Sequence, residues 1–387
     1  MKTLTSHQLT DTFDGWDIYM HRALELAQNV FSASPNPRVG CVIVKDDEIV
    51  GEGWHSGPGQ NHAEIEALDR AGVRAQSAVT FVTLEPCAHI GKTGPCSQAL
   101  IAAGVESVVI ASIDPDRRVF GQGIVDLENA NINVFHLTDF DDLAKDINPG
   151  YFKRHTSGMP FVRLKLAMSL DGRTGLANGE SKWITSSEAR CDVQKYRARS
   201  SAIVTGINTV LADDPQLTAR TSELGIGGKE LENNKTPFLN KPLRIVLDSN
   251  KRTPDTSQII CNDGKVKIFS FQGPIKSDKS PKNVEHIKAE CCQGRVNLRN
   301  MLEFLSTSFA CNDVLVEAGS TLSTSFINDN LVDELIVYIA PKILGRDARP
   351  LTEIIGLHRM KDCLQLKVKE VETIGPDIKI ILTSKES

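Results

Sequence analysis

Three short stretches of the 387-residue chain combine residue types that can bind a metal and move a proton: His62-Ala63-Glu64, Glu85-Pro86-Cys87 and Pro95-Cys96. One imidazole and two thiolates fill three of zinc's four tetrahedral positions, and an open fourth position distinguishes a catalytic site from a closed structural one. Glu64 follows His62 by two residues, near the metal without being needed as a ligand. A carboxylate there can take a proton from an activated water and pass it to a departing amine. Pro95 suits the first position of a helix, which puts Cys96 in the first turn, where the helix dipole favours thiolate over thiol. His62 likewise opens a helical pattern.

Blander arrangements use the same residues. His62, Cys87 and Cys96 could be an ordinary buried histidine and two core cysteines, or His89 could complete a closed four-ligand site. A His-x-Glu followed by Pro-Cys is the logic of zinc deaminases, whose nucleic-acid members carry Pro-Cys-x-x-Cys. Here eight residues separate Cys87 from Cys96, so the spacing departs from that pattern.

These residues need elements to hold them. After a polar, unpatterned stretch at 1–13, apolar residues at Met20, Ala23, Leu24 and Ala27 follow helical spacing. Gly40–Val44 and Ile49–Trp54 read as a hairpin, and His62–Ala71 as a helix ending at Gly72. Strands are predicted at Ala78–Leu84 and Ser107–Ala111, a helix at Pro95–Ala103, and a weaker helix–strand pair reaching Phe135. Tyr151–Pro160 reads as a linker, because Gly158 and Pro160 punctuate it. A second series follows, with strands at Phe161–Met168, Ala202–Gly206, Leu243–Asp248, Val266–Ser270, Val314–Glu317 and Leu335–Ala340. Helices at Ser187–Ala198 and near 297–306 and 321–329 alternate with them, and 221–241 reads as a polar surface loop. Alternation of this kind predicts an α/β chain with mostly parallel sheets, in two domains at 14–157 and 159–387.

Composition narrows the class. The chain is 40% hydrophobic and 24% charged with a net charge of −5, which gives no basic face for nucleic acid. No run approaches the ~20 apolar residues that span a bilayer, and the first residues lack the apolar stretch of a signal peptide. Nine scattered cysteines do not form a disulfide framework. A cytoplasmic enzyme is expected, without nucleic-acid or membrane partners.

The motifs also resemble a family. Pro35-Asn36-Pro37-Arg38-Val39-Gly40-Cys41-Val42, Gly51-Glu52-Gly53-Trp54-His55, His62-Ala63-Glu64 and Thr83-Leu84-Glu85-Pro86-Cys87-Ala88-His89 are similar to the deaminase half of the bifunctional riboflavin-biosynthesis deaminase/reductases, over residues 17–157. The long cysteine spacing is typical of that family. The resemblance implies a cytidine-deaminase-like three-layer domain with zinc on His62, Cys87 and Cys96, Glu64 as catalytic proton shuttle, and Asn36 and His55 lining the pyrimidine pocket. Where the family carries Asp-Pro-Asn-Pro, this chain has Asp114-Pro115-Asp116-Arg117, which puts the ribose-phosphate contacts of that loop in question.

Taken alone, the second half is less explicit. It has no Gly-x-Gly-x-x-Gly, and Val316-Glu317-Ala318-Gly319-Ser320-Thr321 reads either as an anion cradle at a helix start or as a simple helix cap. Lys165–Gly172, Ser181–Thr185 and Ala212–Thr218 resemble the family's reductase half, which implies a dihydrofolate-reductase-like α/β domain using NADPH. The implied reaction opens the ribose of the deaminated product and reduces C1′ to the ribityl chain. The carbon receiving hydride needs a nearby acid or cation, for which Lys165 (as the catalytic residue) and Glu317 are candidates. The resemblance places Ser181, Arg197, Leu217, Arg220 and Glu317 on the substrate, with the forks of Arg197 and Arg220 suited to its phosphate. It places Ala167, Trp183, Thr209, Asp213 and the run Gly319, Ser320, Thr321, Leu322, Ser323, Thr324 and Ser325 on NADPH. Ser249 is expected at the cofactor's 2′-phosphate with Lys251 or Arg252 near, while Lys182 and Lys251 read as solvated by default. The partner is then a small phosphorylated pyrimidine, and a homo-oligomer (dimer or tetramer) is expected. The competing readings are a nucleic-acid-editing deaminase with a C-terminal binding module and a zinc-stabilised scaffold without activity.

Overall fold

Short apolar strands separated by amphipathic helices dictate sheets covered on both faces, and the chain forms two of them. The computed structural model describes residues 1–4, 15–88, 94–224, 241–272 and 281–384. Contacts divide it into two units that change over between Gly158 and Met159.

In the first unit the strands are β1 (Lys2–Leu4), β2 (Gly40–Lys45), β3 (Glu48–Trp54), β4 (Val79–Val82), β5 (Ser107–Ile110) and β6 (Asn133–Leu137), in the sheet order β1-β6-β5-β4-β2-β3. Strands β1, β6, β5 and β4 run parallel, whereas β2 is antiparallel to β4 and forms a hairpin with β3. The helices are α1 (Trp16–Ala27), α2 (Ala63–Ala71), α3 (Cys96–Ala103), α4 (Gln122–Asn129), α5 (Asp141–Ile147) and α6 (Pro149–Ser157). Cys41, Ile43, Val82, Val108 and Ile110 face Ala63, Ala67, Leu100 and Leu127 of α2–α4. The alternate residues Val42, Phe81, Val109 and Phe135 face Met20, Ala23 and Leu24 of α1 and Ala144 of α5. Period-2 alternation thus builds a three-layer α/β/α unit.

Two expectations need correction here. Tyr151–Ser157 is not linker but belongs to α6, which starts with Pro149 and stops at left-handed Gly158. Proline is pre-set for a helix start, so that end was readable, but Gly158 and Pro160 outweighed it. Pro95 is the cap before α3, and Cys96 is the first helical residue.

The second unit begins with β7 (Phe161–Ser169) and β8 (Arg173–Gly175), then α7 (Ser187–Arg199), β9 (Ala202–Gly206), α8 (Ile207–Asp213), β10 (Leu243–Leu247), α9 (Gln258–Cys261), β11 (Val266–Ser270) and β12 (Val284–Lys288). A two-residue pair β13 (Cys291–Cys292) and β14 (Arg295–Val296) follows, then α10 (Leu298–Phe309), β15 (Asp313–Glu317), α11 (Ser320–Asn328), β16 (Glu334–Ala340), β17 (Arg349–Pro350), β18 (Leu366–Ile374) and β19 (Asp377–Ser384). Nine strands form one sheet in the order β12-β11-β10-β9-β15-β7-β16-β19-β18, parallel as far as β16 and closed by an antiparallel hairpin. One face packs on Met301, Leu302, Leu305 and Phe326 of α10 and α11. The other packs on Ile207 and Val210 of α8, Ile259 and Ile260 of α9, and Ala189 and Val193 of α7. Most of the region read as a surface loop at 221–241 lies outside the described residues, as does His89.

Candidate active site

The chemistry of the first unit gathers where α2 and α3 begin. His62 is extended (φ −74°, ψ 162°) and caps α2, so Glu64 falls in the first turn and is buried. Close packing holds that helix against the hairpin: any side chain on Gly53 of β3 would collide with the Ala63 carbonyl oxygen. Helix α3 starts on Cys87, whose sulfur accepts the Cys96 N–H at 3.4 Å and whose carbonyl accepts the Ser97 N–H at 3.2 Å.

His62 Nδ1 lies 3.5 Å from Cys87 Sγ and 3.3 Å from Cys96 Sγ, and the three donor atoms lie within 4.8 Å of one another. Tetrahedral zinc with nitrogen and sulfur ligands spaces its donors roughly 3.6–3.8 Å apart, so this set fits the ion closely. Hydrogen bonding to Cys96 and His62 holds the Cys87 thiol down at about 4, while Cys96 is pushed up as the proton holder of the pair. Burial, together with the charge on Cys87, raises Glu64 to about 7, and its carboxylate meets the Cys96 side chain. This cluster could hold a metal beside a carboxyl group able to carry a proton near neutrality.

The pocket residues join the cluster through histidine. His55 is buried, which lowers its pKa and keeps the ring neutral. Its Nδ1 donates to the Asn61 carbonyl at 2.9 Å, which leaves Nε2 to accept from Asn36 Nδ2 at 3.0 Å. The His55 and His62 rings are 5.1 Å apart edge to face.

The departing loop is tied to the same place by Glu85, which the motif contained but sequence reasoning gave no role. Its carboxylate accepts from the N–H groups of Asp114, Gly121 and Gly123, two residues before Cys87. Asp116 is buried, paired with the Arg118 guanidinium, while Arg117 is exposed. Asp114 accepts from the Tyr151 hydroxyl at 2.9 Å, and burial pushes it up to about 7. Tyr151 lay in the supposed linker, and no local pattern marks such a contact across 37 residues.

In the second unit three of the candidates, Lys165, Arg197 and Glu317, meet where β15 ends beside β7. Lys165 of β7 and Glu317 of β15 are register partners. Arg197 of α7 reaches over to Glu317 in a bidentate pair, Nε–Oε1 2.6 Å and Nη2–Oε2 3.0 Å. Burial lowers the Lys165 pKa, opposed by the Glu317 carboxylate. The remaining arm of Arg197 donates to the Thr218 carbonyl at 3.2 Å, which draws in buried Leu217 and the neighbouring Arg220. Arg197 has therefore committed its fork to Glu317, whereas Arg220 pairs with Glu223 at the surface.

Ser181 Oγ donates to Asp213 Oδ1 at 3.2 Å, so a substrate candidate touches a cofactor candidate. Lys182 is exposed and donates to the Asp213 carbonyl. Trp183 is exposed, with the Arg190 guanidinium 4.3 Å above its ring. Ala167 lies on β7 two residues beyond Lys165, and Thr209 lies on α8. Gly319 caps α11, Leu322 packs near Gly206 at the end of β9, and Ser323 Oγ donates back to the Ala318 carbonyl. The predicted anion cradle carries a carboxylate of the chain itself: Ser320 Oγ and Thr321 Oγ1 donate to Glu353 at 2.6 and 3.0 Å, and Glu353 N–H donates to Thr324 Oγ1 at 2.7 Å. Ser325 Oγ accepts from Arg295. Ser249 follows β10, its carbonyl bonded to the Phe271 N–H at 3.3 Å. Lys251 departs from expectation, since its ammonium is buried and not solvated.

Comparison with known proteins covers both units. Residues 16–112 match the cytidine and deoxycytidylate deaminase zinc-binding region, and residues 160–380 match the RibD C-terminal domain. The chain is 46% identical to the riboflavin biosynthesis protein RibD of Escherichia coli over 94% of its own length and 97% of that protein. It is 44% identical to the Haemophilus influenzae protein, covering 95% and 97%. Among solved structures, Acinetobacter baumannii RibD superposes with a TM-score of 0.86 at 42% identity, over 95% of this chain and 98% of that one. A Thermotoga maritima diaminohydroxyphosphoribosylaminopyrimidine deaminase/5-amino-6-(5-phosphoribosylamino)uracil reductase does so at 0.80 and 30% identity, covering 95% and 98%.

Proposed function

Because the chain belongs to the RibD family of bifunctional riboflavin-biosynthesis deaminase/reductases, we propose a role for each of its two clusters. The enzyme hydrolyses an exocyclic amine from 2,5-diamino-6-ribosylamino-4(3H)-pyrimidinone 5′-phosphate and then reduces the ribosyl chain of 5-amino-6-(5-phosphoribosylamino)uracil to ribityl. The convergence of His62, Cys87 and Cys96 beside buried Glu64 is the single observation that carries this reading. The family match does not support the nucleic-acid-editing alternative.

In the deaminase half, His62, Cys87 and Cys96 hold zinc, which when bound supplies Lewis acidity toward a water. Asn36 and neutral His55 orient the pyrimidine edge. Glu64 carries the two protons of the attacking water in turn, the first to the ring nitrogen beside the reacting carbon and the second to the leaving nitrogen. The C–N bond breaks, a C=O replaces it, and ammonia departs.

In the reductase half, NADPH when bound supplies the hydride. Lys165 faces the reacting carbon and stabilises or protonates the atom that gains negative charge. Glu317, fixed by Arg197, sets that lysine's field, and Ser181, Leu217 and Arg220 position the substrate, with Arg220 near its phosphate. Ala167, Trp183, Thr209, Asp213, Ser249 and the Gly319–Ser325 turn hold the cofactor, and a bound phosphate at that turn displaces the Glu353 carboxylate.

No described helix is long and apolar enough to cross a membrane. We place the enzyme in the cytoplasm without nucleic-acid partners, as a homo-oligomer, either dimer or tetramer. Exposed Val368 and Val371 on the edge strand β18 support self-association. The test is incubation with the diaminopyrimidine ribotide, with and without NADPH, followed by mass analysis. Deamination alone is expected without NADPH, and the ribityl product with it; an unchanged ribotide would refute the assignment.

A further inference from the structure

Helix α7 carries Arg197, yet little apolar surface holds it in place. Its buried side chains are Ala189, Asp192, Val193, Gln194 and Ala198, and none of these is a large apolar group. Apolar contact is non-directional, and two alanines and a valine supply little of it. Directional polar contacts must therefore set the depth and pitch of this helix.

Those contacts come from strands to which no site residue was assigned. Tyr338 of β16 is fully buried, and its hydroxyl donates to Asp192 Oδ2 at 2.8 Å. Lys379 of β19 stands opposite Tyr338 in the register and brings its ammonium to 3.5 Å from the same oxygen. Burial opposes the charge on Asp192, but the Tyr338 hydroxyl and the Lys379 and Lys195 ammonium groups outweigh it and hold the carboxyl below its ordinary value. The turn between β18 and β19 adds an anchor at the helix start, where buried Asp377 accepts the Ser186 N–H at 2.7 Å. Gly375 in that turn has a left-handed φ of 58°, and a side chain on it would press on Glu188 of α7.

The grip on Asp192 lies beside the reacting groups. Register pairs Ile336 with Lys165 and Tyr338 with Ala167, so Tyr338 shares a sheet face with Lys165, one step further along. The charge on Glu317 is felt at the Tyr338 hydroxyl. Arg197 follows Asp192 by five residues, roughly 7.5 Å along the helix axis. Its two bonds to Glu317 require both partners to be aligned. A side chain that holds α7 therefore acts on Glu317 and Lys165 through Arg197. Misplacement by about 1 Å at such a constellation costs on the order of 100-fold in rate.

We infer that Asp192 is a positioning residue of the reductase: gripped by Tyr338 and Lys379, it sets α7 where Arg197 meets Glu317. This rests on the reading that Lys165 and Glu317 serve hydride transfer. Tyr338→Phe removes one oxygen from the grip and keeps the ring packing, and Asp192→Ala removes its centre. Steady-state NADPH oxidation on the deaminated ribotide is measured in the full zinc-loaded chain, beside ammonia release and urea midpoints. Both variants are expected to lower kcat at least about tenfold, with KM for NADPH within about threefold and ammonia release unchanged. Ile245→Val, in the core on the opposite face of the sheet, should lower the urea midpoint without lowering kcat. In an Arg197→Met background Tyr338→Phe should add no further loss, because both act through one path. If Arg197→Met itself oxidised NADPH at the full rate, the reading of the site would fall and the inference with it. With Arg197→Met impaired, full kcat in Tyr338→Phe overturns the inference alone, even if Asp192→Ala does not fold. So does a tenfold loss that persists on top of Arg197→Met, or an equal loss of kcat in Ile245→Val.

Discussion

Arg197 grips Glu317 through two parallel hydrogen bonds of 2.6 and 3.0 Å, and Glu317 stands directly across the strand register from Lys165. The arginine comes from α7 and the carboxylate from the end of β15, so the pair joins a helix to the sheet at the proposed hydride-transfer site. Both side chains are only 11–13% exposed. Removing one partner leaves a largely buried charge unpaired, and the field on Lys165 changes with it.

Arg197→Met should therefore destabilise the second unit by about 3 kcal/mol and reduce NADPH oxidation by at least tenfold, while ammonia release is unchanged. The double variant Arg197→Met/Glu317→Leu should recover most of the stability, because a well-packed apolar pair can replace a buried ion pair, but not the reductase activity. Urea midpoints and separate assays of the two half-reactions check this. Recovery of activity in the double variant would show that the pair is structural only.

Glu64→Gln keeps the size and polarity of the side chain but cannot carry a proton. Zinc content should stay near that of the unaltered protein, and deamination should fall by roughly 10²–10⁴-fold. Metal analysis alongside ammonia release decides the matter. Loss of zinc in this variant would make Glu64 a ligand and overturn its role as shuttle.

Chelation should separate the two activities. With the His62–Cys87–Cys96 site stripped, ammonia release should vanish and return on adding zinc. NADPH oxidation on the already deaminated ribotide should remain above about half, because Lys165, Arg197 and Glu317 need no metal. A metal-free preparation that deaminates at full rate would end the zinc reading.

The ease of reading the two sites from sequence follows from how local their determinants are. His62 and Glu64 share one helix start and Cys96 opens another, so a few neighbouring residues announce the geometry. The second site depends on register between β7 and β15 and on an arginine 120 residues from its partner, which no local pattern encodes. Lys251 was assigned to solvent on the ordinary behaviour of lysine, whereas the fold buries its ammonium, which no local pattern announces. The β18–β19 hairpin went unread although Leu366-Lys367-Val368-Lys369 alternates, because a bulge between Val368 and Glu370 interrupts the period and β18 is exposed along nearly all its length. Glu353 at the start of α11 belongs to a segment more than 30 residues away.

Asp114 predicts a pH dependence of the first unit. Burial raises its folded pKa to about 7, against an ordinary carboxylate value near 4. The folded state thus holds the proton more tightly, and this contribution to stability is complete below about pH 4 and lost as pH rises through about 7. Between pH 5 and 8 the loss should be of the order of 2 kcal/mol. Asp114→Asn, which stays neutral and can still meet Tyr151, should flatten that slope while the parallel effects of Glu64 and Glu85 remain. Urea unfolding at the two pH values, followed by Trp16 and Trp54 in a Trp183→Phe background, reads this unit. An unchanged slope in Asp114→Asn would remove Asp114 as its source.

The last prediction concerns the proposed division at 159–387. Gly158 ends α6 in a left-handed conformation, whereas Met159, the next residue, is buried with Val162, Leu164 and Phe326 in the core of the second unit. A cut between them leaves the nine-stranded sheet and the helices on both its faces intact, in a length ample for an independent core. Expressed alone, residues 159–387 should fold, bind NADPH at least tenfold more tightly than NADH, and reduce the deaminated ribotide. They should release no ammonia from the diaminopyrimidine, because His62, Glu64, Cys87 and Cys96 are gone. If an apolar edge at β18 also mediates self-association, the fragment should sediment as an oligomer, and Val371→Lys should shift it toward monomer. A folded fragment that binds no NADPH would place the cofactor outside this unit and refute the assignment of Ser249, Thr209 and the Gly319–Ser325 turn together.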